Sequence, residues 1–171
     1  MRKIHLLKTI VDFVWITSII GYGLIFILIL GVLFNADWIS PKFTISDVSY
    51  SSMSISTKII FLAFYLINGF ILYCLHLFRQ IIQSFKNLKI FENIVIKNFQ
   101  KIGNFILFLG FFNLFFNFIF TFFIENEIVK KVSVSLSGNL FLFLGLGLFF
   151  MILSEIFKIA KNTKQENDLT I

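Results

Sequence analysis

Residues 105–124 read FILFLGFFNLFFNFIFTFFI, and sixteen of these twenty positions are Phe, Ile or Leu. A run of that length covers the roughly 30 Å of a bilayer's hydrocarbon at about 1.5 Å per helical residue. At about −0.3 to −0.6 kcal/mol for each apolar residue, the run outweighs the cost of Asn113 and Asn117, the two amides inside it. Three more runs of similar length and character occupy residues 13–34, 59–78 and 136–157. The sequence therefore predicts an all-α integral membrane protein, a bundle of four transmembrane helices. Composition agrees: the 171 residues are 58% hydrophobic and 14% charged. A soluble domain is nearer about 45–50% and 25%, and a small globule has too little interior to hide the excess. Residues 1–171 are read as a single membrane domain with no separate soluble catalytic module.

The net charge of +6 would point to nucleic acid in a soluble protein, but in a membrane protein it first reports orientation. Lys and Arg number three before the first run, five in the middle loop 79–101 and three in the tail 158–171. The loops holding Lys42 and Lys58, and Lys130 and Lys131, have two each. Eleven against four puts both termini and the middle loop on the cytoplasmic side, in a bacterial inner membrane, with no direct contact to nucleic acid. The first run follows Arg2, Lys3 and Lys8 as a signal peptide would. It is too long, however, and Asn35-Ala36-Asp37 is no small-x-small cleavage site, so it is expected to stay as an anchor. Cys74 is the only cysteine, which excludes an intrachain disulfide and a multi-cysteine metal site.

Phe91-Glu92-Asn93 interrupts the middle loop, so residues 80–88 read as an extension of the second helix and 93–102 as the lead into the third. The face of Leu88, Phe91, Val95 and Phe99 is expected against the membrane surface or a partner helix. In the first outer loop, Thr44-Ile45-Ser46, Val48-Ser49-Tyr50 and Met53-Ser54-Ile55-Ser56 alternate apolar and hydroxyl residues. Val132-Ser133-Val134-Ser135 does the same in the second. These segments predict a small antiparallel outer sheet tying the first two helices to the last two.

Gly103, Gly110, Asn113 and Asn117, spaced by seven, three and four, share one stripe of the third helix. Two readings stand: close helix packing with interhelical amide hydrogen bonds, or a polar cavity. Gly69, His76, Gln80 and Gln83 form a similar stripe on the second helix. Cys74 and His76 point about 200° apart and cannot share a metal easily. Asp12 and Glu155 are the carboxylates nearest the hydrocarbon, open to a structural salt link or to a proton or ion role. Asp12 would favour a helix start through the dipole, whereas Glu155 would need Lys158 or Arg79. The glycines Gly138, Gly145 and Gly147 lack the Lys-Ser/Thr of a phosphate loop. There is no His-Glu-x-x-His, no Gly-x-Ser-x-Gly and no carboxylate dyad. No catalytic, cofactor or metal site is expected, and the chain is read as not an enzyme.

Leu153-Ser154-Glu155-Ile156-Phe157, then Lys158 and Gln165-Glu166-Asn167-Asp168-Leu169-Thr170-Ile171, resemble a known C-terminal signature. It is that of a small bacterial membrane family catalogued as domain of unknown function 2975, in which a Leu-Ser-Glu-x-Phe helix end precedes a Glu-Asn-Asp-Leu-Thr-hydrophobic tail. The family's middle loop is similar too, with Gly-x-x-Phe, an acidic or amide pair, a basic helix and Ile-Gly. Phe91, Glu92, Asn93, Lys97, Lys101, Ile102 and Gly103 match it, while the glycine ahead of Phe91 is absent.

The resemblance implies a four-span protein of unknown biochemistry, often encoded beside a small helix-turn-helix regulator of the phage-repressor type. The leading expectation is then a cofactor-free membrane anchor or regulator of such a transcription factor, its basic loop drawn to anionic headgroups at about 1 kcal/mol per Lys or Arg. Candidate partner-binding residues are Phe91, Glu92, Asn93, Glu155, Glu166, Asp168, Leu169 and Thr170. The tail would bind a partner, dock against the middle loop or end as a solvated terminus. An alternative is a small transporter or channel subunit, assembled as a homo-oligomer, with His76, Asn113 and Asn117 as intramembrane polar contacts. Another is an immunity or envelope-stress protein acting through its outer loops.

Overall fold

The computed structural model describes residues 2–34, 44–45, 48–49, 55–123 and 140–169. Four long helices make up nearly all of this: α1 (Arg2–Leu33), α2 (Ile55–Lys86), α3 (Asn93–Phe123) and α4 (Leu140–Leu169). Each holds a stretch long and apolar enough to cross a membrane. Lipid is the solvent that suits their surfaces. Phe13, Phe111, Phe115 and Phe141 are all at least 60% exposed, and such side chains continue along every helix, far beyond the few hundred Å² of apolar patch tolerated in water. At 30 to 32 residues the helices reach about 45–48 Å, so each carries about ten residues beyond a hydrocarbon layer of about 30 Å.

The main contacts follow chain order: α1 on α2, α2 on α3, and α3 on α4, the last the most extensive. Backbone proximity explains the α3–α4 pairing. A Cβ on Gly103 would stand 2.8 Å from the Gly147 carbonyl oxygen and 3.0 Å from the Met151 nitrogen, so only a residue without one lets the helices cross there. Gly147 in turn leaves room for the Leu107 side chain, and Gly110 lies against Phe143. One register runs through the antiparallel pair, since the Ser154 hydroxyl donates to the Ile96 carbonyl at 2.9 Å, two turns from the glycine contact. The glycines of the α3 stripe thus serve close packing. Between α1 and α2, Tyr22 stacks on Tyr65 at 4.3 Å and its hydroxyl fills the space a side chain at Gly69 would need.

The most tightly packed region lies not at mid-membrane but at the end where α2 turns into α3. Leu77, Ile81, Val95, Phe99 and Ile102 are buried there, with Phe85, Phe150, Leu153 and Phe157 packed around them. Val95 and Phe99 therefore face α2 and α4 rather than the membrane surface. Leu88 does not share their face; it belongs to the turn and is 69% exposed.

That turn is a helix C-cap. Lys89 N donates to Ser84 O at 2.9 Å and Leu88 N to Phe85 O at 3.2 Å, the paired bonds of a Schellman motif. The motif requires a left-handed residue, and Leu88 has φ 59°. It stands three residues before Phe91, where the Gly-x-x-Phe pattern has its glycine. Glu92 then opens α3, its carbonyl accepting from Val95 N at 3.1 Å.

Thr44–Ile45 and Val48–Ser49 pair antiparallel as β1 and β2. The outer sheet expected to unite both outer loops also needs residues 132–135, which lie outside the described residues, as do Thr170 and the side chain of Asn117.

Candidate functional site

Polar and charged groups gather at the α2–α3 turn and just below it, in two sets. The first joins α1, α2 and α3. Arg79 Nε donates to Asp12 Oδ1, with Lys8 4.0 Å from the other carboxylate oxygen, and its guanidinium lies 4.5 Å from the centre of the Trp15 ring. Trp15 in turn contacts the His76 ring at 5.8 Å. His76 Nε2 is 3.0 Å from Gln80 Nε2, and accepts from that amide when the imidazole proton sits on Nδ1. Asn98 Nδ2 donates to Gln80 Oε1 at 2.9 Å. The carboxylate of Asp12 is thus neutralised across the helix interface, the arrangement that lowers the cost of a charge near hydrocarbon. The helix dipole does not act on it, because α1 begins at Arg2 and the dipole fades within the first turn.

Beside this chain a cleft of about 420 Å³ opens between α2 and α3, lined by Tyr73, His76, Leu77, Gln80, Asn93, Ile94, Lys97, Asn98 and Lys101. Asn98 forms its buried polar floor at 4% exposure, while Lys97 and Lys101, one helical turn apart, are exposed at its edge.

The second set joins the turn to the end of α4. Helix α4 continues without a break through Leu169, so the tail's polar residues are carried on a rigid rod alongside residues 87–92. Lys161 Nζ donates to Asn93 Oδ1 at 2.7 Å, Lys164 Nζ lies 6.0 Å from the centre of the Phe91 ring, and Phe91 packs on Phe157 at 6.3 Å. Lys89 and Glu92 pair at 3.1 Å. A cleft of about 290 Å³ lies here between Lys89, Phe91, Glu92, Lys161, Lys164 and Asp168.

Of the candidate partner-binding residues, the fold brings Phe91, Glu92, Asn93 and Asp168 together. Glu155 stands apart, paired with Lys158 at 3.2 Å on an exposed face of α4, and Arg79 is engaged elsewhere. Glu166 and Leu169 are exposed at the helix end. Of the intramembrane candidates, His76 joins the first set through Gln80 and Asn98. Asn113 is half-buried on α3, fifteen residues, or about 22 Å, beyond Asn98. His76 and Asn113 therefore do not share a site.

Sequence reasoning missed Asn98, Asn93 as a partner for the tail, and the Asp12–Arg79 pair. A signal existed for Asn98, which sits one turn from Val95 and Ile102 and so is a polar residue on the buried face of α3. Among the described residues, no three His, Cys, Asp or Glu side chains converge as a metal site would need.

The family model described as Protein of unknown function (DUF2975) matches residues 9–171. No curated protein and no solved structure gives a significant match. The match runs from the first turns of α1 to the end of the tail, including the turn and the α4 segment that meet in the second set, and the chain belongs to the DUF2975 family.

Proposed function

We propose that this protein is a non-enzymatic membrane anchor or regulator, lying in a bacterial inner membrane with both termini and the α2–α3 turn in the cytoplasm, where it holds a small helix-turn-helix transcription factor. The observation that carries the reading is the docking of the α4 end against the turn, through Lys161 on Asn93 and Lys164 over Phe91. A tail without a task is ordinarily a frayed terminus. Here two segments separated by the third span combine into one firm surface beyond the apolar runs, bearing Phe91, Glu92, Asp168 and the exposed Glu166 and Leu169. At its outer end Glu166 and Asp168 stand beside Lys161 and Lys164, a mixed-charge surface that a partner of complementary charge pattern would fit. The choice of a helix-turn-helix partner rests on the family resemblance alone.

Coexpression of the chain with a small helix-turn-helix regulator of the phage-repressor type, followed by membrane fractionation, tests the proposal. The regulator is expected in the membrane fraction with this protein and in the soluble fraction without it. Glu166→Lys with Asp168→Lys should release it. A regulator that remains wholly soluble in both cases refutes the reading.

A further inference from the structure

We infer that the cleft between α2 and α3 is a binding site for the phosphate headgroup of an anionic phospholipid. The cleft straddles the boundary between two solvents. The apolar run of α2 ends at Phe78 and that of α3 begins at Phe105, so Tyr73 and His76 stand inside the hydrocarbon edge. Lys101 and Lys97 precede Phe105 by about 6 and 12 Å along α3. The deep wall is aromatic and apolar, with Tyr73 held edge-on to Phe105 at 5.4 Å, and the outer edge is cationic. A phospholipid has the same order of chemistry along its length. Basic pockets between transmembrane helices are the recurrent way such headgroups are held, and Tyr at the headgroup level is the usual interfacial anchor.

Two further observations separate this cleft from an ordinary basic surface. Arg79 and Lys158 are held by Asp12 and Glu155, and Lys161 and Lys164 by Asn93 and the Phe91 ring, all groups of the chain itself. Lys97 and Lys101 have no carboxylate within 4.0 Å among the described residues, so their charge is left for something outside the chain. Behind them, Asn98 and Gln80 fix one another by a 2.9 Å hydrogen bond, a polar floor that is already ordered before a ligand arrives. The volume of about 420 Å³ lies within the range of small-molecule sites, about 300–1,000 Å³.

The test uses the full chain in a neutral detergent and measures binding of short-chain phosphatidylglycerol, short-chain phosphatidylcholine and inorganic phosphate. Phosphatidylglycerol should bind at least tenfold more tightly than phosphatidylcholine. Lys97→Gln with Lys101→Gln should weaken it roughly thirty-fold, the product of two per-lysine contributions near an anionic surface. Lys97→Arg with Lys101→Arg should retain binding, as should the distant pair Lys161→Gln with Lys164→Gln. Tyr73→Ala, which keeps both charges, should weaken phosphatidylglycerol severalfold and leave phosphate unaffected. Equal losses at both lysine pairs would reduce the effect to diffuse surface attraction and overturn the inference. So would equal affinity for the two lipids, or an unchanged affinity in Tyr73→Ala. Inorganic phosphate binding as tightly as phosphatidylglycerol would assign the cleft to free phosphate and overturn the lipid reading.

Discussion

Replacing Gly103 by alanine should separate α3 from α4, and replacing Gly145 should not. A Cβ at position 103 meets Met151 Cγ at 2.7 Å, which can swing away, but also the Gly147 carbonyl oxygen at 2.8 Å, a backbone atom that cannot, so the helices must part by about 0.6 Å to restore ordinary contact. Overpacking of this kind costs about 1–3 kcal/mol. Alanine also gains about 0.5–1 kcal/mol over glycine within a helix, but Gly145, with nothing within 4 Å of its Cβ position, receives the same gain without the clash. The difference between the two variants therefore isolates the steric term and should be about 1–3 kcal/mol in favour of Gly145→Ala. Denaturation by dodecyl sulfate from a mild detergent, followed by far-ultraviolet circular dichroism, measures it. Parting the helices also stretches the 2.9 Å Ser154–Ile96 hydrogen bond towards its limit, so Ser154→Ala should cost less in the Gly103→Ala background than alone. Variants equal within about 0.5 kcal/mol would refute the claim that backbone contact fixes this crossing.

Leu88 occupies the left-handed region, where a β-branched side chain is worse than Leu and glycine meets no steric penalty, so stability should order Gly at or above Leu and Leu above Val. Leu88→Val is expected to lose more than about 1 kcal/mol in the same denaturation assay, and a Val variant as stable as wild type would contradict the assignment of the cap. For the pair between Asp12 and Arg79, with side chains 27% and 35% exposed, a double-mutant cycle through Asp12→Asn and Arg79→Gln should return a coupling of about 1 kcal/mol, above that of most surface pairs. A coupling indistinguishable from zero would mean that the two groups meet without stabilising the α1–α2 contact. Lys161→Ala removes the tail's hydrogen bond to Asn93 and should raise amide hydrogen exchange across residues 88–93 severalfold, with no change in the middle of α3. Uniform exchange in both proteins would show that the tail does not brace the turn.

How legible each part was in the sequence depends on which solvent dictated it. The four helices were readable because hydrocarbon leaves the backbone one economical solution, and the run from Phe105 announces it with sixteen apolar residues in twenty. The start of α3 at Asn93 was readable from the break at residues 91–93. Gly103 and Gly110 were readable as a packing stripe from their spacing alone, though not that α4 supplies the opposite face through Gly147. The candidate sites were less accessible. Nothing local ties Asp12 to Arg79, sixty-seven residues away, or Lys161 to Asn93, sixty-eight away. Such pairs follow from helix rotation and register, which sequence periodicity leaves loose when phenylalanines surround a helix on every side. Leu88 is the reverse case, a residue whose side chain gives no warning that its backbone must be left-handed.

The distribution of packing bears on how a signal would cross this molecule. In hydrocarbon, apolar side chains gain little by leaving lipid for one another, so the membrane parts of the helices meet mainly where small residues or aromatic pairs permit, as at Gly110 and Tyr22–Tyr65. At the turn end, water supplies a driving force that lipid does not, and there Leu77, Ile81, Val95, Phe99 and Ile102 close into a buried cluster clasped by Phe150 and Phe157 of α4. The helices are thus joined most firmly where they leave the bilayer. A shift of α1 acts on this cluster through Asp12 and Arg79, and a shift of α4 acts through Phe157 and Lys161, so both converge on the α2–α3 turn. An element pinned from two directions has few ways to move except as a unit. That makes the turn, rather than any residue within the spans, the place where displacements of α1 and α4 would combine.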